Sequence, residues 1–174
     1  TYETRFQKVK TETNPRGFTT TYVYDYETGA GNAGNLVEII HPAVEDGRTG
    51  QQVTPKETFV YDAQGRILEM VNRRGVKRCF VYTTGAAGEA ANGANPLFAA
   101  GVTPVLGHLT QDIEDCGGPS QRTTRMREFD ALGNPLIVEG PLGTPEQRTF
   151  RYTYDSRGRK SSETDPTGVV TRYV

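Results

Sequence analysis

An aromatic residue followed by aspartate recurs along the chain, at Tyr24-Asp25, Tyr61-Asp62, Phe129-Asp130 and Tyr154-Asp155, with a weaker copy at Tyr82-Thr83. Another aromatic usually stands two residues earlier: Tyr22, Phe59, Phe80 and Tyr152. Three residues after the aspartate comes Gly-Arg or Gly-Asn, at Gly65-Arg66, Gly133-Asn134 and Gly158-Arg159, and after an insertion at Gly34-Asn35. A short strand-like run then leads to a second turn signature. Its copies are Asn14-Pro15-Arg16-Gly17, Asn72-Arg73-Arg74-Gly75, Gly140-Pro141-Leu142-Gly143 and Asp165-Pro166-Thr167-Gly168, with His41-Pro42 as an expanded fifth. A repeat of about 21 residues in 174 is the dominant constraint on this chain.

Each signature has a physical reading. Asp-x-x-Gly matches a type I turn: the aspartate accepts backbone hydrogen bonds and the glycine takes the left-handed conformation. That predicts a hairpin with a glycine bulge. In Asn/Asp-Pro-x-Gly, proline presets φ for the same kind of reversal. Each unit then carries two strands and two reversals. Aromatics at i and i+2 share a sheet face, so stacked units are expected to pair them across strands. A 21-residue unit cannot bury enough to fold alone and must lean on its neighbours. The expected fold is all-β, with antiparallel hairpin repeats forming a long curved sheet over 1–174.

Composition supports this. Nine Tyr and seven Phe favour strands, while 20 Gly and 10 Pro punctuate turns. A net charge of −1 argues against nucleic-acid binding by bulk electrostatics. No apolar run is long enough for a membrane span. Thr1 opens within the pattern without an initiator Met, and Val174 stops one residue before the next expected tyrosine, which reads as a piece of a longer chain.

Residues 84–120 interrupt the repeat and read as an inserted loop. Residues 84–96 are rich in Gly, Ala and Asn. Val102, Val105, Leu106, Leu109 and Ile113 are helically spaced behind Thr103-Pro104, so a short helix is expected there, as a flap or, less favoured, a plug. The two cysteines, Cys79 and Cys116, make neither a disulfide framework nor a metal site, and the balance is against their pairing.

No catalytic, cofactor or metal site is assigned. Gly29-Ala30-Gly31-Asn32-Ala33-Gly34 fits a dinucleotide fingerprint, but Asn35-Leu36-Val37-Glu38-Ile39-Ile40 after it is strand-like where a helix is required. His41 and His108 lack ligand spacing and read as turn or surface residues. The recurring aspartates read as turn acceptors rather than acid–base pairs. Arg66, Arg159 and Arg172 read as cross-strand ion-pair partners.

The motifs Tyr22-Val23-Tyr24-Asp25, Phe59-Val60-Tyr61-Asp62-Ala63-Gln64-Gly65-Arg66-Ile67 and Tyr152-Thr153-Tyr154-Asp155-Ser156-Arg157-Gly158-Arg159 resemble the Rhs, or YD-repeat, family, over about 1–83 and 121–174. The resemblance implies a β-strip that spirals into a hollow shell. In bacterial polymorphic toxins and insecticidal toxin complexes such shells enclose a C-terminal toxin; in teneurins a similar barrel belongs to an adhesion receptor. It further implies an exported, extracellular bacterial protein that is no enzyme. Its partners would be other repeats of the same shell and the enclosed toxin. The family's self-cleaving aspartyl site is not placed here, and Asp165-Pro166-Thr167-Gly168 reads as a plain turn. The rival reading is an adhesion module whose exposed Tyr24 and Tyr61 rows stack on glycans. Interrupted strands at both ends are expected to leave open edges that self-associate.

Overall fold

The computed structural model describes residues 1–86 and 97–174. The strands run β1 Thr11–Thr13, β2 Thr19–Tyr24, β3 Leu36–Ile40, β4 Val44–Glu45, β5 Gln52–Val53, β6 Lys56–Tyr61 and β7 Ile67–Val71, followed by β8 Lys77–Thr84, β9 Leu106–Glu114, β10 Arg122–Phe129, β11 Pro135–Gly140, β12 Arg148–Tyr154, β13 Lys160–Thr164 and β14 Val170–Arg172. One helical turn, α1 Asp25–Thr28, follows β2. The all-β antiparallel expectation is met. The chain divides into two compact units, Thr1–Arg78 and Cys79–Val174.

In the first unit the sheet order is β1-β2-β3-β6-β7, each strand antiparallel to the next. Thr19–Tyr24 (TTTYVY) and Lys56–Tyr61 (KETFVY) are dense in β-branched and aromatic residues, which suit a pleated, half-buried surface. The ladder register shifts at Val23/Tyr24 and at Val60/Tyr61, immediately before the two aspartate turns. The expected bulges are there. The aromatic-to-aromatic cross-strand pairs are not: Tyr22 faces Ile39 and Phe59 faces Met70. Two strands of each repeat lie side by side, so the next aromatic row is two strands away and an aliphatic fills the step between.

The small second turns behave as read. Asn14 Oδ1 accepts the N–H groups of Arg16 and Phe18, and Asn72 Oδ1 those of Arg74 and Val76. His41-Pro42 opens an expanded version. The His41 N–H donates to Pro55 O (2.9 Å), as Asn72 N–H does to Val76 O, and the β4–β5 ribbon is inserted between.

In the second unit the order is β8-β9-β10-β11-β12-β13-β14. The expected helix does not form, because Leu106–Glu114 is strand β9, antiparallel to β10 with Glu114 opposite Arg122 and Gln111 opposite Arg125. Leu109 and Ile113 are four residues apart, a spacing that satisfies a strand face as well as a helix face. A ladder partner therefore decides the outcome. Acidic Asp112, Glu114 and Asp115 would have sat unfavourably at the helix C-terminus, whereas in the strand Glu114 lies opposite a cation. The Gly/Ala/Asn-rich stretch lies largely outside the described residues. Gly140-Pro141-Leu142-Gly143 also departs from its expected turn. With no Asp or Asn at its head, the Leu142 N–H goes to Thr123 O and the Gly143 N–H to the Gln147 side chain.

Cys79 and Cys116 form a disulfide, contrary to expectation, with Cα atoms 5.8 Å apart. Their spacing of 37 residues hid a proximity created by β9 returning beside β8. Buried apolar side chains are few among the described residues: Tyr24, Phe98, Phe129 and Ile137. Cohesion rests on ladders, turns and this cross-link rather than on a thick core.

Closing a loop of 37 residues should stabilise the second unit by about 3–4 kcal/mol through the unfolded state. Urea unfolding of the oxidised chain against Cys79→Ala/Cys116→Ala checks this, with the oxidised form expected to have the higher midpoint.

Candidate functional site

The residues that carry the repeat converge on one local device. In the turn after β6, Asp62 Oδ1 accepts the N–H groups of Gln64 and Arg66, both at 2.9 Å. The Asp62 N–H donates to Arg66 O, and the Gly65 N–H to Asp62 O. Gly65 stands at φ 79°, a conformation that strains any residue with a Cβ. Asp130 repeats the arrangement with Leu132 and Asn134, and Asp155 with Arg157 and Arg159. The second carboxylate oxygen takes the side chain at the turn's last position: Arg66 Nε at 2.6 Å, Asn134 Nδ2 at 3.1 Å and Arg159 Nε at 2.7 Å. Arg66 and Arg159 thus pair with their own turn's aspartate, four residues back, where cross-strand partners were expected. Arg172 lies opposite Ser162.

Three further turns use the same device at other lengths. Asp25 begins α1, yet its N–H donates to Asn35 O and its carboxylate accepts Ala33 and Gly34 N–H groups, so the Gly29–Gly34 segment is an enlargement of the same turn. A strand follows it, not the helix that a dinucleotide fingerprint requires. Near the N-terminus, Glu3 accepts from the N–H groups of Arg5, Phe6 and Lys8 while its own N–H donates to Lys8 O. Tyr2-Glu3 is thus a sixth copy. Sequence reading missed it because glutamate replaces aspartate; the longer side chain spans a loop one residue longer.

The weak copy is also explained. Thr83 Oγ1 donates to Val105 O at 2.6 Å and accepts the His108 N–H at 3.0 Å, across 25 residues. Gly107, at φ 107°, and His108 stand where Gly65 and Arg66 stand. The insertion therefore lies inside one turn, and the repeat resumes at Gly107, not after residue 120. Leu97 and Ala99 bond to the Phe129 backbone, and Phe98 is fully buried against Phe129 and His108. His108 stacks on Phe129 at 4.9 Å, packed rather than at the surface. His41 pairs with Glu57 through Nε2 at 2.7 Å.

Three of the motif tyrosines reach out of their own repeat. Tyr24 Oη donates to Val9 O (2.7 Å), Tyr61 Oη to Leu36 O (2.8 Å) and Tyr154 Oη to Pro135 O (3.3 Å). In every case the acceptor is the residue just after the neighbouring turn closes, at Lys8, Asn35 or Asn134. Tyr24 is buried and Tyr61 half-buried, so these rings are packed between repeats and not displayed as a row.

The electrostatics follow from the bonding. Burial would raise the Glu3 pKa, but N–H donors from Lys8, Phe6 and Arg5 outweigh it and carry it down to about 2. Burial likewise opposes, and the turn donors outweigh it, at Asp25, Asp62 and Asp130, all held below the ordinary carboxylate range. A separate buried acid, Glu139, is lowered chiefly by Arg127 and also by Arg125; Arg125 Nη2 lies 2.6 Å and Arg127 Nη2 3.0 Å from its carboxylate. Such charges are kept ionised and occupied by donors, which suits anchoring and not proton transfer. Among the described residues no three Asp, Glu, His or Cys side chains cluster as a metal site would need. Asp165 accepts the N–H groups of Thr167 and Val169 as an ordinary turn residue.

No family model and no curated protein matches this chain. Among solved structures it is similar to TcdB2-TccC3, at 16% identity and a TM-score of 0.32, covering 94% of this chain. It is also similar to the Photorhabdus luminescens Tc holotoxin pore, at 10% identity and a TM-score of 0.27, covering 98% of this chain. The chain spans about a tenth of the length of the TcdB2-TccC3 chain. These likenesses are too distant to add to what the sheet itself shows.

Replacing Asp130 by alanine strands the Leu132 and Asn134 N–H groups and should cost about 1–2 kcal/mol in thermal or urea unfolding. A carboxylate whose folded pKa is depressed stabilises the fold above its unfolded pKa, and that contribution is lost as pH falls through the folded value. The first unit should accordingly lose stability between about 4.5 and about 2 on account of Glu3. Glu3→Gln should flatten that acid limb in melting curves recorded against pH.

Proposed function

We propose that this chain is a wall segment of an Rhs/YD-repeat shell that encloses a C-terminal toxin. The observation that carries the reading is the tyrosine bond from three of the motifs to the turn of the preceding repeat, at Tyr24, Tyr61 and Tyr154. A motif that spends its aromatic on the neighbouring repeat and its acid on its own backbone is built to extend a sheet laterally. It leaves neither group for substrate chemistry, so the role is architectural and not enzymatic. The resemblance of the motifs supplies the kind of object being built. The Cys79–Cys116 disulfide fits a protein that works outside the reducing cytosol. The partners are further repeats of the same shell and the enclosed toxin.

Glycan binding through Tyr24 and Tyr61 is the weaker reading, because both hydroxyls are engaged and both rings are packed. Cryo-electron microscopy of the full-length parent tests the wall. A hollow body with this segment in its wall is expected; a parent without a central cavity overturns the proposal.

A further inference from the structure

Topology places the second turns of the first unit at one end of its strands, and two of these turns carry arginines at their tips. Arg16, Arg73 and Arg74 stand at the tips of the Asn14 and Asn72 turns, all exposed. Arg73 is 3.0 Å from Glu57. Arg16 and Arg74 contribute only backbone N–H groups to their turns, and their guanidiniums meet no carboxylate among the described residues. Beside them is a concavity of about 250 Å³ lined by Phe18, His41, Pro42, Val44, Pro55 and Arg73. Phe18 and Val44 are 51% and 49% exposed, so the hollow is apolar and uncovered. One wall of it comes from the start of the β4–β5 ribbon, through Pro42 and Val44.

The second unit places an opposite chemistry at one of its own second turns. Between β9 and β10, Glu114 is exposed and opposes only Arg122 across the ladder. Asp115 follows it, and its carboxylate accepts the Ser120 N–H, fixing the loop. Pro119 is exposed on that loop. The Cys79–Cys116 disulfide ties the loop to β8. The result is a covalently braced acidic tip with an apolar ring on it.

We propose that the Arg16/Arg73/Arg74 edge with its Phe18–Val44 hollow is a docking surface for the Glu114–Pro119 tip of a second copy of this chain. Arg16 and Arg74, whose guanidiniums carry no ion pair among the described residues, stand on the turns beside the apolar hollow, while Arg73 is held by Glu57; an acidic partner that also offers an apolar group fits this surface, and the braced tip offers both. Charge complementarity sets the register, and covering Phe18 and Val44 supplies the apolar gain. This contact uses turn tips. It is distinct from association through the edge strands of the sheet, and it does not depend on the shell reading.

Sedimentation velocity of the oxidised 174-residue chain, at about 50 mM and about 500 mM salt, separates the two modes. Association at low salt, weakened about tenfold or more at high salt, is expected. Arg73→Glu/Arg74→Glu should abolish it, and so should Glu114→Lys. Mixing these two variants should restore it, since the altered charges again oppose. Circular dichroism of each variant confirms that the sheet is intact. A monomer at low salt overturns the proposal. Association that persists undiminished in Arg73→Glu/Arg74→Glu overturns it as well, and assigns the contact to the strand edges.

Discussion

The carboxylate that holds the backbone N–H groups of its own turn is the interaction on which this molecule depends. A reversal in a sheet with so little core cannot be fixed by packing. It is fixed by a charge placed where two or three N–H groups converge, with a glycine supplying the left-handed step. Hydrogen bonds to a charged acceptor are roughly twice as strong as neutral ones. They make the turn a rigid hinge around which the adjoining strands find their register.

The device tolerates changes in length. The chain between its first and last residues ranges from the short Asp62 turn, through the one-residue extension at Glu3, to the 25-residue span from Thr83 to His108. What stays constant is the closing geometry at the base, because only the base enters the ladder. Insertions can therefore be housed in a turn without disturbing the sheet. At Thr83 a hydroxyl replaces the carboxylate, and the insertion brings its own anchor, Phe98, buried between Phe129 and His108. The tyrosines then couple one turn to the next, so that local order in one repeat is relayed to its neighbour.

Charge is handled in two ways. Acids at turn heads are consumed by backbone donors, and Glu139 is consumed by two arginines on the sheet. At the tips of the Asn14 and Asn72 turns, Arg16 and Arg74 are left to solvent while Arg73 pairs with Glu57. An almost neutral chain thus keeps its fold-forming charges internal while presenting Arg16 and Arg74 to solvent on the first unit and an exposed Glu114, opposite Arg122, on the second.

The amino-acid sequence by itself determined the reversals, since Asp-x-x-Gly and Asn-x-x-Gly encode local hydrogen bonds and a local φ that need no distant partner. The all-β class, the enlarged turns at Asp25 and His41 and the structural role of the aspartates were legible for that reason. Tertiary structure decided whatever required a partner far along the chain. Leu109 and Ile113 fit either periodicity until β10 selected the strand. Cys79 met Cys116 only because β9 folds back beside β8. Tyr2-Glu3 disclosed its place only through its bonds to Arg5, Phe6 and Lys8. The target of each tyrosine hydroxyl, a carbonyl at the neighbouring turn, depends on strand order, which no local signal specifies.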